Sequence, residues 1–300
     1  MHDLIIIGAG PAGMSAAVYA ARNKLDFLVI SKDIGGQAAW SSDVENYIGY
    51  QFITGAELTQ KFEEHVKKYN VKIINDEIVE LRKPNSIFEI KTKNNKTYLT
   101  KTIIIASGKK PKMLNIPGEK EFRGKGVTYC AVCDAPLFAG KDVAVIGGGN
   151  SALDAALQLT KYANKIYVIN IAGKLGGEKV LMQKVEKNRK VIVLNNSKIV
   201  EISGDKFVTG IKAEQDKKIK TLNVQGIFIE IGLVPETDFA DIAKKNEFGE
   251  IIIDQSARTN IPGIFAAGDV TNTPEKQIVV AAGEGAKAAL GVIKYLGGLK

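Results

Sequence analysis

Apolar residues fall along this chain in short, mostly β-branched blocks, each closed by glycine or a polar turn, and several are followed by alanine-rich stretches. Blocks of this kind predict buried strands, and the alanine-rich stretches predict helices packed against them. Asp3–Ile7 is the first strand; it runs into Gly8-Ala9-Gly10-Pro11-Ala12-Gly13 and the helix Met14–Arg22. Phe27–Ile30 is the second strand and ends at Ser31. Thr54-Gly55-Ala56-Glu57 has the form of a capping box opening a helix to about Tyr69, after which Val71–Asn75 returns as a strand. Glu77–Leu81, Ile87–Thr92 and Thr97–Leu99 form a meander that ends in a last strand, Thr102–Ile105, running into Ala106-Ser107-Gly108.

Lys109–Gly118, with Pro111 and Pro117, breaks this pattern as a crossover. Beyond it the sequence repeats the opening arrangement: the strand Lys141–Ile146, the loop Gly147-Gly148-Gly149-Asn150-Ser151-Ala152, a helix from about Ala152 to Tyr162 and the strand Ile166–Ile169. Strands at Val191–Leu194, Ile199–Ser203, Lys206–Ala213, Ile219–Val224 and Gly226–Ile231 lead to a second crossover, Gly232-Leu233-Val234-Pro235. Two crossovers around a middle segment predict an α/β protein of two Rossmann-like, three-layer, nucleotide-binding domains, the second inserted into the first. The expected boundaries are 1–110 with 235–300 for the outer domain and 111–234 for the inner one. Two short hinges suit relative rotation of the domains.

Composition changes this picture little. A length of 300 residues exceeds one ordinary core, and 45% hydrophobic with 25% charged residues is usual for a folded globular protein. The net charge of +8 comes from scattered pairs such as Lys67-Lys68 and Lys244-Lys245, interleaved with acids. Without a concentrated basic stripe and aromatic platforms, nucleic-acid binding is not expected; the surplus favours docking of a small acidic protein. The apolar stretch Leu4–Ala21 is interrupted by Gly8, Gly10, Pro11 and Gly13, which suits strand, turn and helix rather than a membrane span. A sparse cysteine pair, with no leader pattern before the first strand, places the expectation in a reducing cytoplasm.

The candidate chemistry lies in three places. Gly8, Gly10 and Gly13 follow a strand and open a helix, as a dinucleotide loop requires: a tight turn, a close backbone approach to pyrophosphate, and helix packing on strand. Ser31 stands where an acid often holds ribose hydroxyls. A second such loop is Gly147, Gly149, Asn150, Ser151 and Ala152, with Ala152 as the third small residue. Its ribose-reading position, about 20 residues on, is Asn170, which could bond a hydroxyl without repelling a 2′-phosphate. No arginine pair follows, so strict NADPH use is poorly supported. The third place is Cys130-Ala131-Val132-Cys133-Asp134, which holds both cysteines of the chain. Cysteines at this spacing at a helix start can bond without backbone movement, and the helix end favours a thiolate. Half of a zinc site is the alternative, but two cysteines and two histidines could supply four ligands only between subunits. His65 lies among Glu63, Glu64, Lys67 and Lys68 and reads as solvated, so no histidine is at hand for the cysteines.

On these residues the chain resembles the low-molecular-weight thioredoxin reductases. The matching pieces are Gly8–Gly13, Gly35-Gly36-Gln37, Glu45-Asn46-Tyr47, Cys130–Asp134, Gly147–Ala152, Thr259–Asp269 and Lys276-Gln277-Ile278-Val279. Cysteines in the second lobe exclude the glutathione-reductase branch. The resemblance implies FAD held by Gly8, Gly10, Pro11, Ala12, Gly13, Ser31, Lys32, Gly36, Gln37, Asn46, Ala106, Ser107, Gly108, Gly268, Asp269, Lys276, Gln277 and Ile278. It implies NADH or NADPH at Gly147, Gly149, Asn150, Ser151, Ala152 and Asn170. Cys133 would then face the flavin and Cys130 attack a partner disulfide, with Asp134 moving the proton; a bland alternative makes Asp134 only a cap of that helix. A thioredoxin or thioredoxin-like acceptor and a homodimer are also implied.

Two departures stand out. Asn170-Ile171-Ala172 replaces the family's usual His-Arg-Arg run, and Ala135 replaces the glycine that usually follows the aspartate. The second lobe and the C-terminus from Gly226 are also similar to the flavoprotein component of alkyl hydroperoxide reductase, an NADH user whose N-terminal thioredoxin-like extension is not seen here, so the expected acceptor is a separate protein. Three readings stay open: reductase of thioredoxin, or of a glutaredoxin-like or peroxiredoxin partner; ferredoxin-dependent reductase; and flavin redox sensor without turnover. Trp40 stays open between a place near the flavin and a place in the core.

Overall fold

A computed structural model of the chain describes residues 1–41 and 44–298. Residues up to 110 together with those from 234 onward form one compact unit, and residues 111–233 form another. The chain leaves the first unit once and returns to it once.

The first unit starts with β1 (His2–Ala9), α1 (Pro11–Arg22), β2 (Phe27–Ile34) and α2 (Gly55–Lys67), followed by β3 (Ile73–Asn75), β4 (Ile78–Arg82), β5 (Phe88–Thr92) and β6 (Thr97–Ile105). β1 pairs in parallel with β2 and β6, and β2 with β3, while β4, β5 and the start of β6 form an antiparallel meander. Alternation along β1 sends Leu4 and Ile6 to one face and Ile5 and Ile7 to the other, and all four are buried. The capping box at Thr54 forms: its hydroxyl accepts from the Glu57 N–H at 3.2 Å, and the Glu57 carboxylate accepts from the Thr54 N–H at 3.1 Å.

Most element ends shift by a few residues from the sequence expectation, and two of the differences have a visible cause. β2 runs to Ile34, because Ala9 of β1 pairs with Ile34 across a bulge. β6 is one strand rather than two, since the polar run Thr100-Lys101-Thr102 is satisfied inside the sheet. The Thr100 hydroxyl donates to the carbonyls of His2 and Thr102, and the Thr102 hydroxyl to that of Asp3.

The middle of the chain begins at β7 (Lys109–Pro111), β8 (Val127–Thr128) and α3 (Ala131–Asp134). It continues as β9 (Asp142–Ile146), α4 (Asn150–Leu159), β10 (Lys165–Ile169), α5 (Lys179–Lys187), β11 (Val191–Leu194), β12 (Ser197–Gly204), β13 (Val208–Gln215), β14 (Lys218–Asn223) and β15 (Gly226–Ile229). A parallel sheet of order β11-β10-β9-β15-β8 is the centre. One face carries α4 and α5 through Leu153, Ala156, Leu159 and Val185, with Phe138 set edge-on to Phe228 at 5.1 Å. The other face meets the antiparallel sheet β12-β13-β14 through Ala144, Ile146, Ile202 and Ile211. The helix α5 is absent from the sequence expectation because lysines, a glutamine and a glutamate interrupt its apolar residues, the short run Val180-Leu181-Met182 and Val185 one turn on.

The chain returns through β16 (Leu233–Pro235), which pairs with β7, and ends in β17 (Ile264–Ala266) and α6 (Ile278–Gly297). β17 pairs in parallel with β6 at Ile103–Ile105, where β6 has left its antiparallel partner β5. α6 lies against α1 on the alanine-rich faces of both, Ala16, Ala17 and Ala20 meeting Ala288, Ala289 and Val292. Their approach is close: a Cβ on Gly285 would lie 2.0 Å from the Ala12 carbonyl oxygen.

Candidate active site

In the first unit the loop from β1 to α1 is built of bare backbone. Gly8 has φ of +106°, and a Cβ on Gly13 would sit 1.8 Å from the Gly8 carbonyl oxygen, so neither position admits a side chain. A Cβ on Gly10 would meet nothing nearer than 3.9 Å, and Gly36 on the neighbouring turn faces the Gly10 backbone. α1 starts at Pro11 with no side-chain cap and no acid in its first turn, which leaves its first N–H groups free for an anion. This cradle fits a dinucleotide pyrophosphate.

Around it the other expected residues are placed as follows. Ser31 is buried, its hydroxyl accepting from the Ala9 N–H at 3.0 Å and donating to the Asp33 carbonyl at 2.7 Å. Lys32 forms an ion pair with Glu236. Gln37 donates to the Lys109 carbonyl at 3.1 Å, and Asn46 donates to the Gln277 side-chain oxygen at 3.1 Å. Ala106, Ser107 and Gly108 leave the end of β6, and the Ser107 hydroxyl donates to the Glu236 carbonyl at 2.6 Å. Gly268 and Asp269 follow β17, while Gln277 and Ile278 open α6. Trp40 is half-buried at the end of a tight helical turn, Gly36–Trp40.

Three carboxylates in this unit lie outside the motifs. Glu284, buried on α6, accepts from the Gly268 N–H at 2.7 Å and from the Thr271 and Thr273 hydroxyls, which pins the turn that carries Asp269. Burial raises the Asp269 carboxyl above its ordinary range, opposed by Lys276 and Lys109. Burial would also raise Glu250, but hydrogen bonds from Asn246, Lys276 and Lys109 more than offset it and hold that carboxyl below the usual range. Glu236 anchors Lys32 and, by its carbonyl, Ser107. The sequence signal that could have found Glu284 is its standing as a lone acid inside the apolar helix Ile278–Leu290.

The second unit repeats the loop. Gly147 has φ of +139°, and its Cβ would lie 2.2 Å from the Glu230 carbonyl oxygen. Gly149 precedes α4 with open space around it, and α4 too lacks a side-chain cap and an acid in its first turn. Asn150 accepts from the Glu178 N–H at 2.7 Å, Ser151 is exposed and Ala152 is buried against the sheet. Asn170 departs from the ribose-reading expectation. It is 4% exposed, and its amide nitrogen donates to the carbonyls of Ala172 and Lys174 and to Asn195. A Cβ on Gly148 would strike its side-chain oxygen at 2.4 Å. The Asn170 amide is thus consumed in shaping the loop from 170 to 174 beneath the glycines.

The cysteine segment begins where β8 ends. Cys130 and Cys133 are bonded to one another, with an S–S distance of 2.00 Å. Cys130 occupies the N-cap of α3, and its sulfur accepts from the Cys133 N–H at 3.1 Å. The Cys130 N–H in turn bonds the Thr128 hydroxyl at 3.2 Å, and that hydroxyl donates to the Asp134 carboxylate. Asp134 is the last residue of α3, whose N-cap is Cys130, and it precedes a tight helical turn, Ala135–Phe138, to which its side chain gives no cap bond. Tyr129 donates to buried Glu119 at 2.8 Å, and burial followed by this bond pushes its phenol well above the ordinary range.

A glycine cradle of dinucleotide type lies in each unit, and the second unit also holds the disulfide of Cys130 and Cys133. The chain belongs to the pyridine nucleotide-disulphide oxidoreductase family, whose pattern matches residues 2–285. It is similar in structure to thioredoxin reductase of Lactococcus lactis, at a TM-score of 0.90 and 37% identity, over 99% of this chain and 100% of that one. It is 40% identical over 297 residues to an NADH dehydrogenase of Bacillus subtilis (strain 168), covering 98% of this chain and 58% of that protein. It is 39% identical over 299 residues to the F component of alkyl hydroperoxide reductase of Staphylococcus aureus (strain MRSA252), covering 98% of this chain and 59% of that protein. The chain thus spans less than two thirds of these two curated relatives. Likeness to the alkyl hydroperoxide reductase component covers 98% of the chain, and so includes the first lobe as well as the second lobe and C-terminus. Among the described residues no helix is long and apolar enough to cross a membrane.

Proposed function

We propose that this chain is a disulfide reductase that carries electrons from NADH through FAD to the Cys130–Cys133 pair and on to a thioredoxin-like protein. The carrying observation is the formed disulfide one turn from the Thr128–Asp134 hydrogen bond, in a unit that also holds an uncapped dinucleotide cradle. In this reading residues 1–110 and 235–300 hold the FAD and residues 111–234 the nicotinamide. FAD bound there supplies two-electron transfer between nicotinamide and disulfide.

The remaining chemistry falls to the chain's own residues. In the reduced pair, the Cys130 thiolate attacks the acceptor's disulfide, forms a mixed disulfide and expels one acceptor thiolate. Cys133 then attacks the Cys130 sulfur, the internal disulfide re-forms and the second acceptor thiolate leaves. Each departing thiolate takes up one proton, so two electrons and two protons reach the acceptor. Asp134, held by Thr128, is the group placed to move these protons. The N–H bond from Cys133 to the Cys130 sulfur favours a thiolate at Cys130 and supports it as the attacking atom. Exposure argues the other way, since Cys133 is exposed and Cys130 half-buried.

NADH is favoured over NADPH because no arginine stands between Asn170 and Gly177 and Ile171 is 75% exposed where a 2′-phosphate reader would be needed. The test is trapping with oxidised thioredoxin. Cys133→Ser, reduced and mixed with the acceptor, should hold a stable mixed disulfide through Cys130 while still binding FAD. A mixed disulfide formed only by Cys130→Ser would reverse the two roles, and none with either variant would refute the reading.

A further inference from the structure

Glu119 is a side chain of the second unit that none of these roles uses, and it is 1% exposed. Its carboxylate accepts the backbone N–H groups of Leu114 at 2.8 Å and Asn115 at 2.6 Å, in a turn where Asn115 has φ of +56°. Successive N–H groups of this kind make an anion-binding concavity, and here the protein's own carboxylate fills it. The loop is fixed in turn to β12: the Ile202 N–H donates to the Pro117 carbonyl at 3.0 Å, and a Cβ on Gly118 would lie 2.2 Å from the Ile202 carbonyl oxygen. The third donor to Glu119 is the Tyr129 hydroxyl at 2.8 Å. The Met113 sulfur lies 3.1 Å from that hydroxyl, but the carboxylate is the stronger acceptor. Tyr129 stands between β8 and Cys130, and the Arg123 guanidinium covers its ring at 5.4 Å from the centroid. Burial and then the Glu119 bond push its phenol above the ordinary range, against Arg123, so it remains a donor. Because β8 is only two residues long and lies at the edge of its sheet, this side chain is a main tie of the segment that carries Cys130.

We propose that Glu119 and Tyr129 are positioning residues for thiol–disulfide exchange: the hydrogen bond between them holds the backbone under Cys130, so that its sulfur stays within reach of Cys133 after the disulfide has opened. The proposal rests on reading the pair as the redox centre. The disulfide spans α3, whose four residues are too few to hold a helix by themselves. When it opens, the segment keeps the Tyr129 tie and the bond from the Cys130 N–H to Thr128. Tie and disulfide restrain the same short backbone, so each favours the other, and loss of the tie weakens the disulfide by the same factor. Closure forms the S–S bond as two electrons and two protons pass from the Cys130 and Cys133 thiols to the disulfide of an oxidant. The closeness of the two sulfurs sets how far that exchange runs.

The full-length protein is equilibrated anaerobically with mixtures of reduced and oxidised dithiothreitol at one neutral pH. Exchange is quenched with acid, free thiols are alkylated, and the disulfide fraction is read by mass spectrometry. Tyr129→Phe keeps the ring and its packing and loses only the hydroxyl. It should lower the equilibrium constant for closing the disulfide about tenfold, which for this two-electron couple is a potential about 30 mV less negative. Glu119→Gln, which replaces the charged acceptor by a neutral one, should shift the constant in the same direction. Because both act through one bond, the double variant should shift it no further than the larger single change. A wild-type constant in Tyr129→Phe overturns the proposal even if the Glu119 variant does not fold, and so does a double variant whose shift is the sum of the two. Dithiothreitol replaces both nicotinamide and acceptor, so failure of the disulfide-reductase reading appears separately, as absent turnover in wild type.

Discussion

At the residue scale the decisive groups are polar side chains drawn out of solvent. Glu230, a half-buried carboxyl just past the end of β15, has a consequence for stability. Its folded carboxyl is raised to about 7 from 4.5, chiefly by burial, so the folded state holds a proton that the unfolded chain has lost between those values. Its contribution is fully present below pH ~4.5 and is lost as pH rises through ~7. Glu230→Gln should therefore melt higher than wild type at about pH 8, by roughly 1–3 kcal/mol, with the gap closing toward pH ~4. A constant gap across that range would contradict the assignment. Asp134→Asn should leave the disulfide formed but slow acceptor reduction by about 100-fold or more, because a positioned acid–base group is removed.

Spacing makes the Cys130–Cys133 pair legible in the sequence and the family resemblance adds Asp134, but neither shows the Thr128 hydroxyl that holds Asp134, since that contact joins β8 to the end of α3. Asn170 shows the converse. Its position in the motif is readable, whereas its bonds to Ala172, Lys174 and Asn195 depend on a loop path that no motif encodes.

At the scale of elements, the strand–glycine–helix units are legible because steric demand and hydrophobic pattern coincide there. Gly13→Ala would force a Cβ against the Gly8 carbonyl and should cost about 1–3 kcal/mol of stability, with loss of flavin absorbance on purification. Retained flavin and an unchanged melting temperature would contradict the cradle. In sequence β6 divides into two strands because its polar Thr100-Lys101-Thr102 run looks like a turn until β1 supplies carbonyls for both hydroxyls. The helix α5 stays hidden because polar residues interrupt its short apolar pattern. The loop after β10 carries the coenzyme prediction: Ile171→Arg with Ala172→Arg should raise kcat/KM for NADPH selectively, by tenfold or more if each arginine adds ~1 kcal/mol of phosphate contact. An equal gain for NADH would place the 2′-phosphate elsewhere.

At the scale of the whole molecule, the chain runs out of its first unit at β7 and back at β16, and both connections contain proline, at Pro111 and Pro235. Such breaks in an otherwise periodic pattern are readable from sequence, whereas the pairing of β7 with β16 is not, because each is only three residues long. Donor, flavin and disulfide assigned to one chain require electrons to pass through all three in order. Anaerobic stopped-flow spectroscopy tests this most directly. NADH should bleach the bound flavin rapidly, and oxidised thioredoxin should restore its absorbance in wild type, while a Cys130→Ser/Cys133→Ser double variant should bleach equally fast and not be restored. Restoration at the wild-type rate in the double variant would show that electrons leave without the cysteines and would contradict the account.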